Sequence, residues 1–219
     1  MRKGLVLAVV LMALGAGAAF AFNSDELNKI TFVNSTGNDI ETLFLSPGDS
    51  DHWGPDIIGA DSVLADGDSL GFYVHYPETS FKFDIMASDT DGNTFELYDY
   101  KFTDGKEAKI TFTKKNLNTS KPDFSFATLT ITNKTSHELD YLFVSPEDSN
   151  AWGVDLLNED TTLSKGDSEK VMVPIGSNKV TYNLMAADDS DREYTFDLVL
   201  DPSKGKSFKA SVEDGDLNQ

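Results

Sequence analysis

Cysteine is absent from this sequence, and its absence excludes several classes of protein. With no Cys among 219 residues, the chain has no disulfides, no thiol nucleophile and no cysteine to carry a lipid anchor. A fold in an oxidising compartment must then be stable through burial of its core alone.

Basic residues are scarce as well. The chain carries 18 Lys and Arg against 37 Asp and Glu, a formal net charge of -19. A surface of this sign repels phosphate backbones, so we expect no nucleic-acid partner. It favours solubility, cationic partners or divalent ions. Aromatic residues make up 11% of the sequence, which argues against disorder despite the charge.

Long apolar runs are missing except at the start. Arg2 and Lys3 precede an apolar run from Leu5 to Leu14, and Ala19-Phe20-Ala21 has the small residues of a cleavage site. Residues 1–21 are therefore predicted to be a signal peptide, cleaved before Phe22. The run is too short for a secure transmembrane helix, and no other stretch could span a membrane. We expect an extracytoplasmic protein, periplasmic or secreted.

Histidine is rare, which bears on catalysis. The three histidines are His52, His75 and His137, and they form neither a transition-metal spacing nor a set with a nucleophile. Carboxylates are plentiful, so a glycosidase pair stays open, but nothing singles two of them out. We expect no catalytic residues and no enzyme activity.

One stretch is present twice. Ser, Pro, Asp, Ser, Trp, Gly and Asp recur in residues 46–58 and 145–157, and Trp152 lies 99 positions after Trp53. We call these stretches the first and second hinge. The apolar and turn positions around them repeat with the same offset, which indicates a duplicated domain.

The start of each hinge predicts one or two helical turns, because Ser caps a helix and Pro suits its first position. Each Trp either closes one end of a core, the interpretation we favour, or forms an exposed platform for a sugar. The predicted anchors are Ser46, Pro47, Trp53, Gly54, Asp56, Ser145, Pro146, Trp152, Gly153 and Asp155.

Each copy shows about six short alternating strands with turn signals between them. This pattern predicts an all-β protein of two tandem antiparallel β-sandwiches, immunoglobulin-like in architecture only, since the Cys pair is absent. The predicted domains are residues 28–115 and 125–213. A polar stretch, residues 116–124, is predicted to link them.

The motif Ser-Pro-x-x-Ser-x-x-Trp-Gly-x-Asp-Leu-Leu resembles small secreted bacterial repeat proteins that carry this hinge in each repeat. The second copy matches it fully, whereas in the first copy Ile57-Ile58 replaces Leu-Leu and Pro55 takes the variable position between Gly54 and Asp56. The resemblance covers nearly all of the chain after residue 21. The resemblance implies an extracytoplasmic location and a fold, but no enzymatic reaction.

Acidic residues concentrate around the hinges, with no Lys or Arg in 30–81 or 135–164. A solvated surface is the favoured interpretation, and Ca²⁺ or a basic partner is the alternative. Asp89, Asp91 and Asn93 have the Asp-x-Asp-Gly opening of a calcium loop. We therefore expect no cofactor, or at most weak Ca²⁺ binding that favours the first copy, where Asn93 stands in place of Arg192.

The sequence thus predicts a non-catalytic binding or structural module with an unknown protein or glycan partner. The alternatives are a Ca²⁺-dependent module, a carbohydrate-binding module marked by exposed Trp side chains, and a secreted hydrolase marked by a deep cleft lined with carboxylates.

Overall fold

The computed structural model describes residues 22–76, 79–118, 125–158 and 161–218. The predicted signal peptide and most of the predicted linker lie outside these ranges. We call residues 22–118 the first half and residues 125–218 the second half. In the described ranges the chain is all-β, and its few helical turns are short 3-10 segments.

The first half contains seven strands: β1 (Asn28–Ser35), β2 (Ile40–Pro47), β3 (Ser69–His75), β4 (Ser80–Asp89), β5 (Thr94–Thr103), β6 (Ala108–Thr113) and β7 (Leu117–Asn118). The second half contains β8 (Ser125–Asn133), β9 (Leu139–Pro146), β10 (Gly153–Val154), β11 (Ser168–Ile175), β12 (Val180–Asp188), β13 (Glu193–Leu200) and β14 (Ser207–Val212). Short 3-10 turns lie at Ser24–Glu26, Lys114–Asn116, Pro202–Lys204 and Asp214–Asp216. The six strands predicted for the first half all form.

Each half has two sheets. The sheets of the first half have the orders β10-β3-β1-β6 and β2-β4-β5-β7, and β10 joins the first of them from the second half. The sheets of the second half have the orders β11-β8-β14 and β13-β12-β9. Both sheets of each half bury side chains in one hydrophobic cluster, as in a β-sandwich. This cluster includes residues from both halves, for example Ile30 and Phe83 from the first and Leu129 and Leu184 from the second.

The prediction of purely antiparallel sheets is wrong at two places. β6 runs parallel to β1, and β14 runs parallel to β8. Parallel neighbours need a long crossover connection rather than a tight turn. Here the intervening strands supply that connection, because the chain passes through the other sheet before it returns beside β1 or β8.

A buried asparagine fixes the turn after the first strand of each half. Asn34 donates through Nδ2 to the carbonyls of Asn38 and Leu64, at 2.7 and 2.9 Å. Asn133 does the same to His137 and Leu163, at 2.8 and 2.7 Å. Because both amides satisfy backbone groups inside the protein, these turns are held in equivalent conformations.

Candidate functional site

The hinges do not begin with helical turns as predicted. Ser46 and Pro47 end β2, and Ser145 and Pro146 end β9, so the Ser-Pro pair is extended in both halves. The ladder with the neighbouring strand outweighs the capping signal, because Pro47 lies opposite Phe83 and Gly48 N donates to the Lys82 carbonyl at 2.9 Å. A tight turn follows, in which Ser50 N and Ser149 N donate to the carbonyls of Pro47 and Pro146.

Each hinge crosses to the opposite half. β10, in the second hinge, pairs with β3 of the first half through Gly153 with His75 and Val154 with Val74. Asp155 N continues this contact by donating to the Tyr73 carbonyl at 3.0 Å. In the first hinge, Asp56 N donates to the Met172 carbonyl of β11 at 2.8 Å. The two contacts are reciprocal, since Asp155 lies 99 positions after Asp56 and Met172 lies 99 positions after Tyr73. We call this contact region between the halves the seam.

Asp56 and Asp155 stabilise the hinges at the seam through hydrogen bonds to backbone groups of their own half. Oδ1 of Asp56 accepts from Leu43 N at 2.9 Å and Ile58 N at 3.2 Å. Oδ1 of Asp155 accepts from Leu142 N at 2.9 Å and Leu157 N at 3.1 Å. Both side chains are fully buried, and their Oδ2 atoms have no hydrogen-bond partner.

The environment of these two carboxyls raises their pKa values. Burial raises the pKa of Asp56 to about 6 and that of Asp155 to about 7, although the backbone hydrogen bonds act in the opposite direction. Desolvation outweighs the hydrogen bonds because one oxygen of each carboxylate is buried without a protein donor. The two groups therefore take up protons near neutral pH, where ordinary aspartates stay charged.

The hinge tips bind each other through a second reciprocal set of contacts. Ser149 Oγ donates to Asp49 Oδ1 at 2.7 Å, and Ser50 Oγ donates to Asp148 Oδ1 at 2.6 Å. The second oxygen of each Asp accepts a backbone N–H across the seam, from Asn150 at 3.3 Å and from Asp51 at 3.2 Å. The Asp and Ser of the repeated motif therefore join the halves.

The two tryptophans are half-buried. Trp53 meets Phe44 edge to face with the ring centroids 6.5 Å apart, and its carbonyl accepts from the Tyr182 hydroxyl at 3.0 Å. Trp152 packs on a small cluster that includes Phe143 and Met185. Both indoles lie over apolar side chains beside the seam.

The three residues predicted as possible Ca²⁺ ligands lie together in the β4–β5 turn. There Asp91 and Asn93 donate hydrogen bonds to the Asp89 carboxylate. Oδ1 of Asp89 accepts from the backbone of Asp91 and Asn93, at 3.0 and 2.8 Å. Its Oδ2 accepts from the side chains of Asn38 and Asn93, at 2.9 and 2.8 Å. These bonds lower the pKa of Asp89 despite its burial.

In the second half, Arg192 occupies the position corresponding to Asn93, and its Nε donates to Asp188 Oδ2 at 2.8 Å. The described residues contain no group of three or more acidic, His or Cys side chains that could hold a metal. Weak Ca²⁺ binding stays a prediction, and any ion would have to displace the donors around Asp89.

The histidines lie apart from one another. His52 is at the tip of the first hinge, with Nδ1 3.3 Å from Asp148 Oδ2. His75 packs against Phe143 and its buried Nδ1 has no partner. His137 Nδ1 accepts from Arg192 Nη2 at 2.8 Å. Each has a local contact of its own, and we see no nucleophile paired with any of them in the described ranges.

Two surface depressions are candidate ligand sites. An open one lies beside Lys114 and Lys115 and contains one carboxylate, Asp66. A second lies between the first hinge and β11 and is lined by Asp56, Asp61 and Glu169. Of these carboxylates, Asp56 is buried and Asp61 forms an ion pair with Lys170 at 3.4 Å.

Tyr98 is an exposed aromatic residue that sequence reasoning did not single out. Its side chain is 59% exposed, and its hydroxyl donates to Glu96 Oε2 at 3.0 Å. It lies at a bulge, because the β4–β5 register shifts between Phe83 and Ile85. Asp99, the next residue, has a φ of 55°. The corresponding β12–β13 ladder is regular through these positions, and the residue 99 positions after Tyr98 is Asp197, which is not aromatic.

The sequence matches no protein-family model and no curated protein. The solved structures that share low similarity with it include the following three. A protein from Eubacterium rectale solved by NMR is 18% identical over 42% of this chain and 82% of its own, with a TM-score of 0.33. A family CBM26 carbohydrate-binding module from Eubacterium rectale, solved with maltoheptaose, is 13% identical over 88% and 95%, with a TM-score of 0.26.

The third, a provisionally assigned adhesin from Bacteroides ovatus, is 8% identical over 87% of this chain and 91% of its own, with a TM-score of 0.21. Similarity at this level assigns neither a family nor a ligand to the chain. As for membranes, no helix within the described ranges is both long and apolar enough for a crossing.

Proposed function

We propose that this protein is a secreted or periplasmic, non-catalytic binding or structural module, built from two immunoglobulin-like sandwiches that arose by internal duplication. The observation that carries the proposal is the reciprocal exchange of hinges across the seam. Asp56 and Asp155 each hold two backbone N–H groups and extend a strand of the opposite half. The repeated motif is therefore engaged in joining the halves rather than in chemistry.

Equivalent contacts at a constant offset support the duplication. The buried asparagines, the buried aspartates and the hinge-tip aspartates all recur 99 positions apart with matching partners. Such agreement in both sequence and contacts is expected when one supersecondary unit is repeated and each copy covers the apolar face of the other. On this proposal, residues 28–115 and 125–213 are the two copies.

The test of the non-catalytic proposal is an assay of the exported protein against glycosides, esters, peptides and phosphoesters. We expect no turnover with any of them. Turnover that is lost on substitution of a single carboxylate would contradict the proposal and favour the secreted hydrolase.

A carbohydrate-binding function is the second candidate, and Tyr98 is the observation that favours it. An exposed aromatic ring gives a sugar an apolar face to stack on, and a neighbouring carboxylate gives its hydroxyls an acceptor. Glu96 lies in that position beside Tyr98 and also accepts from Asn118 Nδ2. The half-buried Trp53 and Trp152 offer less free ring surface.

Affinity electrophoresis in gels that contain soluble polysaccharides tests this candidate. We expect retardation by at least one polysaccharide, lost in Tyr98→Ala and kept in Val199→Ala. Val199 is the control because it is 54% exposed on β13, the corresponding strand of the second half. Equal retardation of both variants would show that Tyr98 is not the platform.

A further inference from the structure

Phe22, the residue that follows the predicted cleavage site, is buried. Its side chain is 5% exposed. Its ring centroid lies 5.2 Å from that of Tyr141 and 5.9 Å from that of Phe143, both on β9, and 6.2 Å from that of His75 on β3. Phe22 thus contacts both halves beside the seam, where it packs with the cluster that also holds Met185 and Trp152.

The backbone nitrogen of Phe22 points at an acidic side chain. It donates to Oε1 of Glu193 at the start of β13. The other oxygen of that carboxylate, Oε2, accepts from Asn218 Nδ2 at 3.2 Å. Ser24 continues the contact with the second half, because its Oγ donates to Asp191 Oδ2 at 3.4 Å. The short segment before β1 is therefore attached to the second half although β1 belongs to the first.

We propose that removal of residues 1–21 creates an α-ammonium group at Phe22 that pairs with Glu193, so that the new N-terminus docks at the seam and stabilises the contact between the halves. Hydrolysis breaks the bond between the Ala21 carbonyl carbon and the Phe22 nitrogen. Water supplies the oxygen of the Ala21 carboxylate, and the nitrogen gains the hydrogens that make it an ammonium. This inference rests on the export and cleavage that the proposed function includes, but it does not depend on the ligand.

Burial of Phe22 sets the order of events. A protease needs an extended, accessible substrate segment around the bond that it cleaves. Phe22 in its docked position is enclosed by Tyr141, Phe143 and His75. A protease can therefore reach the bond before Phe22 only while this segment is undocked, and a precursor that keeps residues 1–21 has an amide at Phe22 in place of the charge.

The groups that face the new terminus favour its charged form. Glu193 contacts the nitrogen directly, and Glu26 and Asp191 lie on the segments around it. Burial lowers the pKa of His75, so the imidazole is neutral at pH 7, although Glu26 and Glu193 act in the opposite direction. Burial also raises the pKa of Tyr141, which keeps its phenol neutral. The charges that face the nitrogen are thus negative, and a carboxylate in contact with the nitrogen favours the ammonium over the neutral amine, whose reference pKa is about 7.7–8.0.

The experiment compares two forms of the full chain after residue 21. One begins at Phe22, released by a protease that leaves no extra residue, and the other carries Gly-Ser before Phe22. Each form is made with Glu193, with Glu193→Gln and with Glu147→Gln. Glu147 is the matched control because it is exposed on the second half, and its replacement removes the same charge.

At pH 6.5 we expect both the extension and Glu193→Gln to lower the melting temperature by about 2–4 °C, the range for loss of one modest interaction in a chain of this size. Together they should lower it no further than either alone, because they remove the same ion pair. Glu147→Gln should lack this coupling.

The pH dependence separates an ion pair from simple packing. A raised ammonium pKa stabilises the folded protein fully below the unfolded value near 7.7, and this stabilisation is lost as the pH rises through the folded pKa. The difference between the two forms should therefore disappear by about pH 10, above the α-amino range. A difference that persists unchanged at pH 10, additive effects of the extension and Glu193→Gln, or an exported protein whose intact mass does not begin at Phe22 would each overturn the proposal.

Discussion

At the scale of single residues, two buried aspartates accept backbone hydrogen bonds through one oxygen and leave the other oxygen unpaired. Asp56 and Asp155 each accept two backbone N–H groups through Oδ1 while Oδ2 stays buried without a partner. The hydrogen bonds require an oxygen acceptor, but not a charge. A charge in this position is costly, because a buried ion without a counterion loses its hydration.

Asp155→Asn should therefore stabilise the protein at high pH. The folded pKa of about 7 lies above the ordinary value of 3.8, so the wild type loses stability as the pH rises from about 4 through 7 and changes little above that range. Asparagine keeps the acceptor and has no charge. We expect a gain on the order of 1–3 kcal/mol at pH 8 and little change at pH 5.

Urea unfolding at both pH values measures this effect. Asp167→Asn is the control, because Asp167 is exposed in the same half and loses the same charge. An equal gain in both variants would mean that relief of the overall negative charge, and not the buried carboxyl, is responsible.

Trp152→Ala tests the apolar contacts beside the seam. Trp152 is half-buried against Phe143, Met185 and Phe22, so we expect a loss of about 2–4 kcal/mol, at or below the range for a fully buried Trp. Trp152→Phe should recover a large part of that loss. Denaturant unfolding of the full chain is the measurement, and a loss below about 1 kcal/mol would show that the indole contributes little packing.

At the scale of structural elements, the same motif glycine serves two different purposes. In the second hinge, Gly153 begins β10 with a φ of 78°, a conformation that disfavours any other residue. Gly54 in the first hinge has no positive φ. A Cβ there would lie 3.0 Å from the Leu45 carbonyl oxygen, so that glycine permits a close approach of backbone.

Gly153→Ala should weaken the contact of β10 with β3. We expect a loss of about 1–2 kcal/mol from strain in the left-handed region. Gly176→Ala is the control, since that glycine is exposed, has no positive φ and has no neighbour near an added Cβ. Thermal unfolding of both variants checks the prediction, which is wrong if the two melting temperatures fall equally.

At the scale of the whole molecule, the halves complete each other's sheets. β10 extends the sheet of the first half, and Asp56 N bonds to β11 of the second. Side chains of both halves also share one hydrophobic cluster. A half on its own would leave backbone groups of β3 or β11 without these partners and would expose apolar surface, which lowers stability.

The full chain should accordingly unfold in a single transition. We expect residues 125–218, produced alone, to melt at a lower temperature and to gain stability when residues 22–118 are added. Self-association of an isolated half would agree with this prediction, because the two hinges share one motif and a second copy of the same half presents that motif too. Calorimetry with analytical ultracentrifugation measures both effects. Two separate transitions in the full chain, matching those of the isolated halves, would contradict this prediction.

The sequence by itself determined the strands and the repeat. Alternating apolar residues mark β3 and β4 because side chains of a strand point to opposite faces in turn, whereas β2 is marked by apolar residues on both faces. Ile30 and Phe32 of β1 are buried, as expected for apolar residues two positions apart in a strand. The sequence shows where each hinge lies, but the helical conformation that it predicts for the start of the hinge is wrong. Its Ser-Pro start is a local capping signal, and pairing of Pro47 with Phe83 on β4 overrides it.

Only the tertiary structure decided where the hinges go. The local sequence indicates only turn residues at four aspartates of the hinges, Asp49, Asp56, Asp148 and Asp155. In the fold their carboxylates accept hydrogen bonds from backbone N–H and serine O–H groups across or beside the seam. The bulge that exposes Tyr98 and the docking of Phe22 on Glu193 likewise depend on residues far away in the chain. Short-range patterns carry no information on which distant backbone groups will need partners, since that follows from how the sheets of the two halves meet.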